Sequence, residues 1–296
     1  MKRIVFLMAV LMLVLILAAA GCGPAEENGG EEETGAPEEQ RIISLMPSNT
    51  EILFALGLED SIVGVTNFCN YPPELETAVA EGRIQRVGDA FNINEELVVS
   101  LEPTLVLLGY DTDASRSLEE RLNNLGISTA IIYPSTVAQT LESILTLGEL
   151  TGREEKAQEL VADMEAALDE IKAATAGIAD QDKPRVLMLL DLDSLYVAGP
   201  ATLEDELITL AGGVNVVEAA GYAEVSEEII VESSPDIILC SFPFRDRIYA
   251  EKDSWQDIPA VAAGEVHDLD ADLINRPTPR LIEGLKLILS ILHPHI

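Results

Sequence analysis

From residue 41 to the end of the chain, short apolar runs alternate with amphipathic stretches. Arg41-Ile42-Ile43-Ser44-Leu45-Met46 is apolar up to Pro47 and predicts a strand. Ser48-Asn49-Thr50-Glu51 then offers a helix N-cap before Ile52-Leu53-Phe54-Ala55-Leu56, and Gly57 supplies the stop. Residues 61–66, 105–108 and 129–133 predict three further strands, with a helix over 115–124 before the last. A long helical stretch over 136–175 places Ala157, Leu160, Val161, Met164, Ala167, Leu168 and Ile171 on one face. Gly148 and Gly152 weaken its middle, where a break is allowed. After Asp180-Gln181-Asp182-Lys183-Pro184 the alternation resumes, with strands over 185–190 and 237–240 and helices over 203–211 and 279–292. Strands alternating with helices of this length predict parallel, helix-flanked sheets.

The two halves echo each other. Glu95-Glu96-Leu97-Val98-Val99-Ser100-Leu101-Glu102-Pro103 is followed by a strand, and so is Glu227-Glu228-Ile229-Ile230-Val231-Glu232-Ser233-Ser234-Pro235. In each copy two Glu open a short helix, where the dipole favours them, and a Pro ends it. The expected architecture is α/β: two similar Rossmann-like lobes with parallel sheets, joined by one long α-helix, with a ligand cleft between them. The expected boundaries are a first lobe over 41–134, a connecting helix over 135–178 and a second lobe over 179–296.

Ahead of this region lie Lys2 and Arg3, an apolar run over 4–17, and then Ala18-Ala19-Ala20-Gly21-Cys22. Residues 1–21 read as a secretory signal with small residues at the cleavage point. The run has barely the length of a membrane span, and the placement of Cys22 decides against that reading. Ala-Gly-Cys resembles a bacterial lipobox, which implies a lipidated Cys22 as the mature N-terminus. Residues 22–40 hold seven Glu with Gly and Pro, and predict a disordered acidic tether.

The chain carries 52 acidic and 18 basic residues, a formal net charge of −34. That excludes a nucleic-acid partner, whose phosphates need a basic face, and electrostatic docking on anionic lipid. Three Cys make neither a disulfide framework nor a metal knuckle. Cys69 and Cys240 fall one in each half and are expected as thiols. There is no GxSxG elbow, Gly-rich phosphate loop or GxGxxG. His267, His293 and His295 are scattered, so neither a catalytic nor a metal site is expected. Asp191 and Asp193 read as loop polar groups. Ligands of open parallel sheets bind beyond the carboxyl ends of the strands. Phe68, Tyr71, Phe91, Tyr110, Tyr133, Tyr196, Tyr222 and Phe242 fall just past strands or on the loops that follow, as an aromatic-walled cleft requires.

Ile43-Ser44-Leu45-Met46-Pro47-Ser48-Asn49-Thr50-Glu51, Tyr71-Pro72-Pro73-Glu74, the Glu…Pro…strand repeats, Leu210-Ala211-Gly212-Gly213-Val214-Asn215 and Arg276-Pro277-Thr278-Pro279-Arg280 resemble one family. It is that of the solute-binding lipoproteins of vitamin B12, ferric-siderophore and haem ABC importers, the class III type with a single-helix hinge. The resemblance covers residue 41 to the end. It implies a monomeric, extracytoplasmic binding protein with no cofactor of its own, anchored through its N-terminal lipid, that delivers a small molecule to a permease dimer with its ATPase subunits. It implies that Glu96 and Glu228, one per lobe, meet basic residues of the permease. It also implies ligand contacts from Tyr71, Phe91, Tyr196 and Tyr222, with Asp272 and Arg276 as a polar pair at the cleft floor; Tyr110 and Phe242 join them by position.

Charge ranks the ligands. An anionic ferric siderophore wants converging Arg or Lys, whereas Arg83, Arg86, Arg245, Arg247 and Arg276 are dispersed. Haem wants an axial ligand, for which Tyr71, Tyr110 or Tyr222 would serve. A corrinoid carries little net charge and an amide rim, and suits Tyr and Asn. The order is corrinoid, siderophore, haem. From other classes, the alternatives are a surface-anchored metal-dependent enzyme using Asp191, Asp193 or Asp272, and a signalling adaptor.

Overall fold

Two sheets, each covered by helices on both faces, organise the chain in the computed structural model, which describes residues 40–89 and 92–296. The first contains β1 (Ile42–Ser44), β2 (Ile62–Val65), β3 (Gln85–Arg86), β4 (Leu105–Leu108) and β5 (Ser128–Ile131). Its order is β3-β2-β1-β4-β5, and every pairing is parallel. β1 and β4 are buried along their whole length, so they read as unbroken apolar runs. Between them the strand order reverses, which leaves a crevice at their carboxyl ends. Around this sheet pack α1 (Pro47–Ala55), α2 (Pro73–Ala80), α3 (Glu95–Ser100) and α4 (Asp113–Asn124). The N-cap of α1 is Met46 rather than the Ser48–Thr50 stretch, because Pro47, with φ already fixed for a helix, occupies its first turn.

The stretch expected as one connecting helix over 135–178 is two: α5 (Val137–Thr151) and α6 (Glu154–Thr175). Gly152 adopts the left-handed conformation (φ 66°) and caps α5, a geometry that other residues take at a cost. α6 is the helix that joins the lobes. Its Ala157, Val161 and Met164 belong to the first lobe's core, and its Leu168 and Ile171 to the second's. Burying each of the larger side chains contributes about 1.5–3 kcal/mol, so the stripe fastens α6 to both cores.

The second sheet holds β6 (Arg185–Asp191), β7 (Tyr196–Ala198), β8 (Val214–Asn215), β9 (Tyr222–Glu224), β10 (Ile237–Cys240) and β11 (Val266–Asp268). Its order is β11-β10-β6-β7-β9, with β8 also on β6. β6, β8, β10 and β11 are parallel, as expected, but β7 runs against them, pairing antiparallel with both β6 and β9. The reason is local: β6 turns back at once, and a connection that short cannot make a parallel crossover. Asp191 holds the turn by accepting from the Asp193 and Ser194 amides and the Ser194 hydroxyl. These bonds, the Ser194 amide first, keep its carboxyl below the usual range. The helices here are α7 (Leu203–Leu210), α8 (Glu227–Ser233), α9 (Arg245–Glu251), α10 (Pro259–Ala263), α11 (Ala271–Ile274) and α12 (Leu281–Leu292).

Candidate functional site

α1 carries a carboxylate into the protein. Glu51 is 4% exposed and lies among Ile52, Leu53 and other buried residues. An isolated charge there would be costly, and two arginines from the other lobe neutralise it. Arg280 donates Nε to Glu51 Oε2 (2.8 Å) and Nη2 to Oε1 (2.9 Å). Arg276 donates Nη1 to Glu51 Oε1 at 2.9 Å. Arg276 also pairs with Asp272 at 2.7 Å and donates to Asn70 Oδ1 at 2.7 Å. Asn70 returns a bond to Asp272 at 2.9 Å. The Arg280 guanidinium lies 3.7 Å from the centre of the Tyr71 ring, a cation–π contact. The loop after β2 and the segment before α12 are thus bound together across the lobes. A cavity of about 440 Å³ opens here, lined by Glu51, Tyr71, Pro72 and Arg280 among others.

The walls are tyrosine. On the first lobe, Tyr110 and Tyr133 are 4.8 Å apart between ring centres, and Tyr110 takes a left-handed φ of 47° just past β4. Such backbone strain persists only where the surroundings fix it. Tyr110 also lines a cavity of about 710 Å³ with Leu45, Asn94 and Leu108. On the second lobe, Tyr196 and Tyr222 stack at 6.3 Å between ring centres. β7–β9 pairing puts them there, and Gly199 lets the strand that leads to Tyr222 pass: any Cβ at Gly199 would strike the Ala219 carbonyl. Tyr222 Oη donates to Glu204 Oε2 at 3.0 Å. Burial and the Glu204 charge push the Tyr222 phenol well above its ordinary range. The Tyr133 phenol is raised as well, by burial, by Tyr110 and by Glu204, so a first-lobe ring lies within the field of a second-lobe acid.

The paired short helices separate their two glutamates by role. Asn94 and Ser226 cap them through side-chain oxygens. Glu95 is held by Arg121 and Glu227 by Lys252 and Ser254, and these bonds lower both carboxyls. Glu96 and Glu228 are exposed and take part in no ion pair among the described residues.

Of the predicted ligand residues, Tyr71, Asp272 and Arg276 come together at the floor, and Tyr196 and Tyr222 form one wall. Tyr110 stands on the other wall. Phe242 pairs with Phe244 just past β10, at 6.0 Å between ring centres. Phe91 lies outside the described residues, as do Cys22, the signal segment and all of the tether but Gln40. Cys69 and Cys240 are free, buried thiols. Among the described residues there is no cluster of His, Cys, Asp or Glu that could hold a metal. The roles of Glu51, Arg280, Asn70 and Glu204 were not legible from the chain. A Glu inside an apolar helix start was the available signal for the first, since a buried acid demands a partner.

Two lobes joined by one helix, their strand ends facing a tyrosine-walled gap, define a two-lobed solute-binding fold. The chain belongs to the periplasmic binding protein family, whose model matches residues 42–273. It is 31% identical over 318 residues to the uncharacterized ABC transporter substrate-binding lipoprotein YvrC of Bacillus subtilis, covering 99% of this chain and 98% of that one. The crystal structure of the periplasmic vitamin B12 binding protein of Vibrio cholerae superposes with a TM-score of 0.72 at 27% identity, over 86% of this chain and 97% of that one. The periplasmic haem binding protein of the same organism gives 0.76 at 24% identity, over 86% and 100%. Shared fold therefore does not select the ligand. All three are named for binding, not for a reaction.

Proposed function

We propose that the chain is the extracytoplasmic, lipid-anchored solute-binding protein of an ABC importer, and that it captures a corrinoid between its lobes for delivery to a permease dimer. A relative that is 31% identical over nearly the whole chain carries the name of a substrate-binding lipoprotein, and among the described residues no helix is long and apolar enough to cross a membrane. The observation that carries the ligand is the state of the arginines. Arg276 and Arg280, the cations at the floor, are spent on Glu51 and Asp272. An anionic siderophore or the propionates of haem would have to displace those partners. A weakly charged, amide-rimmed ligand asks for flat rings and hydrogen-bonding edges, which Tyr71, Tyr110, Tyr196 and Tyr222 supply. Glu96 and Glu228, one on each lobe and without an ion pair among the described residues, suit symmetric docking on basic permease surfaces.

The test is a thermal-shift and absorbance screen of the full-length chain in detergent against cobalamin, cobinamide, ferric siderophores and haemin. Cobalamin at about a hundred times its Kd adds about 2.7 kcal/mol to stability. That shift should disappear when Tyr71 and Tyr222 are both changed to Ala. A shift with haemin or a siderophore and none with corrinoids keeps the class and overturns the ligand. Silence with every probe counts against the binding reading itself.

A further inference from the structure

Glu204 is 2% exposed, and among the described residues no ion pair neutralises it. It lies in the first turn of α7, whose N-cap Thr202 accepts from the Asp205 amide. The positive end of the helix favours a carboxylate there. The Tyr222 hydroxyl donates to it, and its own amide and the neighbouring Thr202 side chain favour its charged form, while the Thr202 hydrogen itself goes to the Gly199 carbonyl. Tyr222 is 48% exposed beside it and stacks on Tyr196. Across the gap stands Tyr133, whose phenol responds to Glu204's charge. This uncompensated acid therefore lies one hydrogen bond behind the exposed surface of the wall.

We infer that Glu204 is a positioning and selectivity residue of the ligand site: its carboxylate accepts the Tyr222 hydroxyl hydrogen bond, turns the Tyr222 oxygen into an acceptor toward the gap, and repels anionic ligands. A phenol whose only hydrogen is committed can still accept, so it reads a donor such as a ligand amide N–H. It offers nothing to a carboxylate, and the charge behind it adds repulsion that water screens poorly. The inference rests on the corrinoid reading and deepens it, because it names the chemistry that one wall selects: neutral, amide-bearing faces over carboxylate-bearing ones.

The experiment compares affinities for cobalamin and haemin in the full-length chain in detergent, by absorbance titration, for wild type, Glu204→Gln, Glu204→Leu and Tyr222→Phe. Glu204→Leu removes the acceptor, and cobalamin affinity should fall roughly tenfold. Glu204→Gln restores an acceptor without the charge. It should recover most of that loss while raising haemin affinity roughly tenfold. Tyr222→Phe should match Glu204→Leu, and the two changes together should cost no more than either alone. Equal falls for both ligands in Glu204→Gln, or an unchanged cobalamin-to-haemin ratio in all variants, would overturn the inference. Additive losses in the double variant would do the same. Thermal unfolding of each variant without ligand identifies any that fails to fold, and Tyr222→Phe then carries the test because it removes one surface-facing atom. Failure of the corrinoid reading is separate: wild type itself would then not bind cobalamin.

Discussion

The floor and the second-lobe wall of the gap each hold a buried glutamate, and the two are treated in opposite ways. Glu51 is gripped by Arg276 and Arg280 from the other lobe, so its charge is spent on holding the protein together. Glu204 accepts from the Tyr222 hydroxyl and meets no cation among the described residues, so on the proposed reading its charge remains to act on whatever enters. The short helices repeat the distinction at the surface. Glu95 and Glu227 are spent on Arg121 and Lys252, while among the described residues their neighbours Glu96 and Glu228 take part in no ion pair. In a chain with so large an acidic excess, the informative question about a carboxylate is whether a cation answers it.

The largest effect should come from breaking the floor. Glu51→Ala leaves two part-buried guanidinium groups facing each other, and breaking a buried pair this way costs about 3–5 kcal/mol. Denaturant unfolding at neutral pH should show that loss. A cost below about 1 kcal/mol would place the floor with ordinary surface pairs, and the contrast with Glu204 would collapse. On the wall, Tyr222→Ala should be milder for folding, because the ring is half exposed, yet should weaken cobalamin binding by about 10- to 100-fold, the worth of about 1–3 kcal/mol at a buried contact. Equal losses of stability in the two variants would erase the distinction between a structural floor and a functional wall.

A third comparison concerns delivery. Reversing both Glu96 and Glu228 to Arg should abolish stimulation of the importer's ATPase while ligand affinity is kept. Changing Glu95 and Glu227 to Gln should leave stimulation within about twofold, since exposed pairs contribute about 0–1 kcal/mol. If the second pair matters as much as the first, the docking surface is centred one residue earlier on each helix.

Much of this was legible in the chain because it depends on local patterns. Strand runs such as Leu105–Leu108, the short helices that Glu95 and Glu227 open, and the stripe from Ala157 to Ile171 are set by neighbours three or four residues away. The aromatic residues past the strands were visible for the same reason. What escaped reading depends on partners far away. Glu51 meets Arg276 and Arg280 across more than two hundred residues, and no pattern within either segment announces the other. β7 and β9 escaped because three-residue strands carry too little periodicity, and Tyr196 and Tyr222 became a stack only through their pairing. The break at Gly152 was allowed by composition, but the left-handed cap and the packing of α5 on α1 and α6 decided it.

The smallest effect, and the one that isolates Glu204, is its pH dependence. Burial raises its folded-state carboxyl above the ordinary value, against the pull of its own amide, Tyr222 and Thr202. The folded protein thus holds that proton more tightly than the unfolded chain does. Stability from this group is fully present below the ordinary carboxylate range and is lost as pH rises through that range toward the raised folded value. Glu204→Gln has no proton to lose and keeps an acceptor for Tyr222. The Tm of the variant relative to wild type should therefore climb as pH rises through the ordinary carboxylate range and level off above the raised folded value. A climb of that sign would mean that the Glu204 charge is held at a cost to the fold, unlike the Glu51 charge, which two arginines answer. A fall instead would mean that Glu204 has a cation of its own in solution, and its proposed role in selectivity would fall with it.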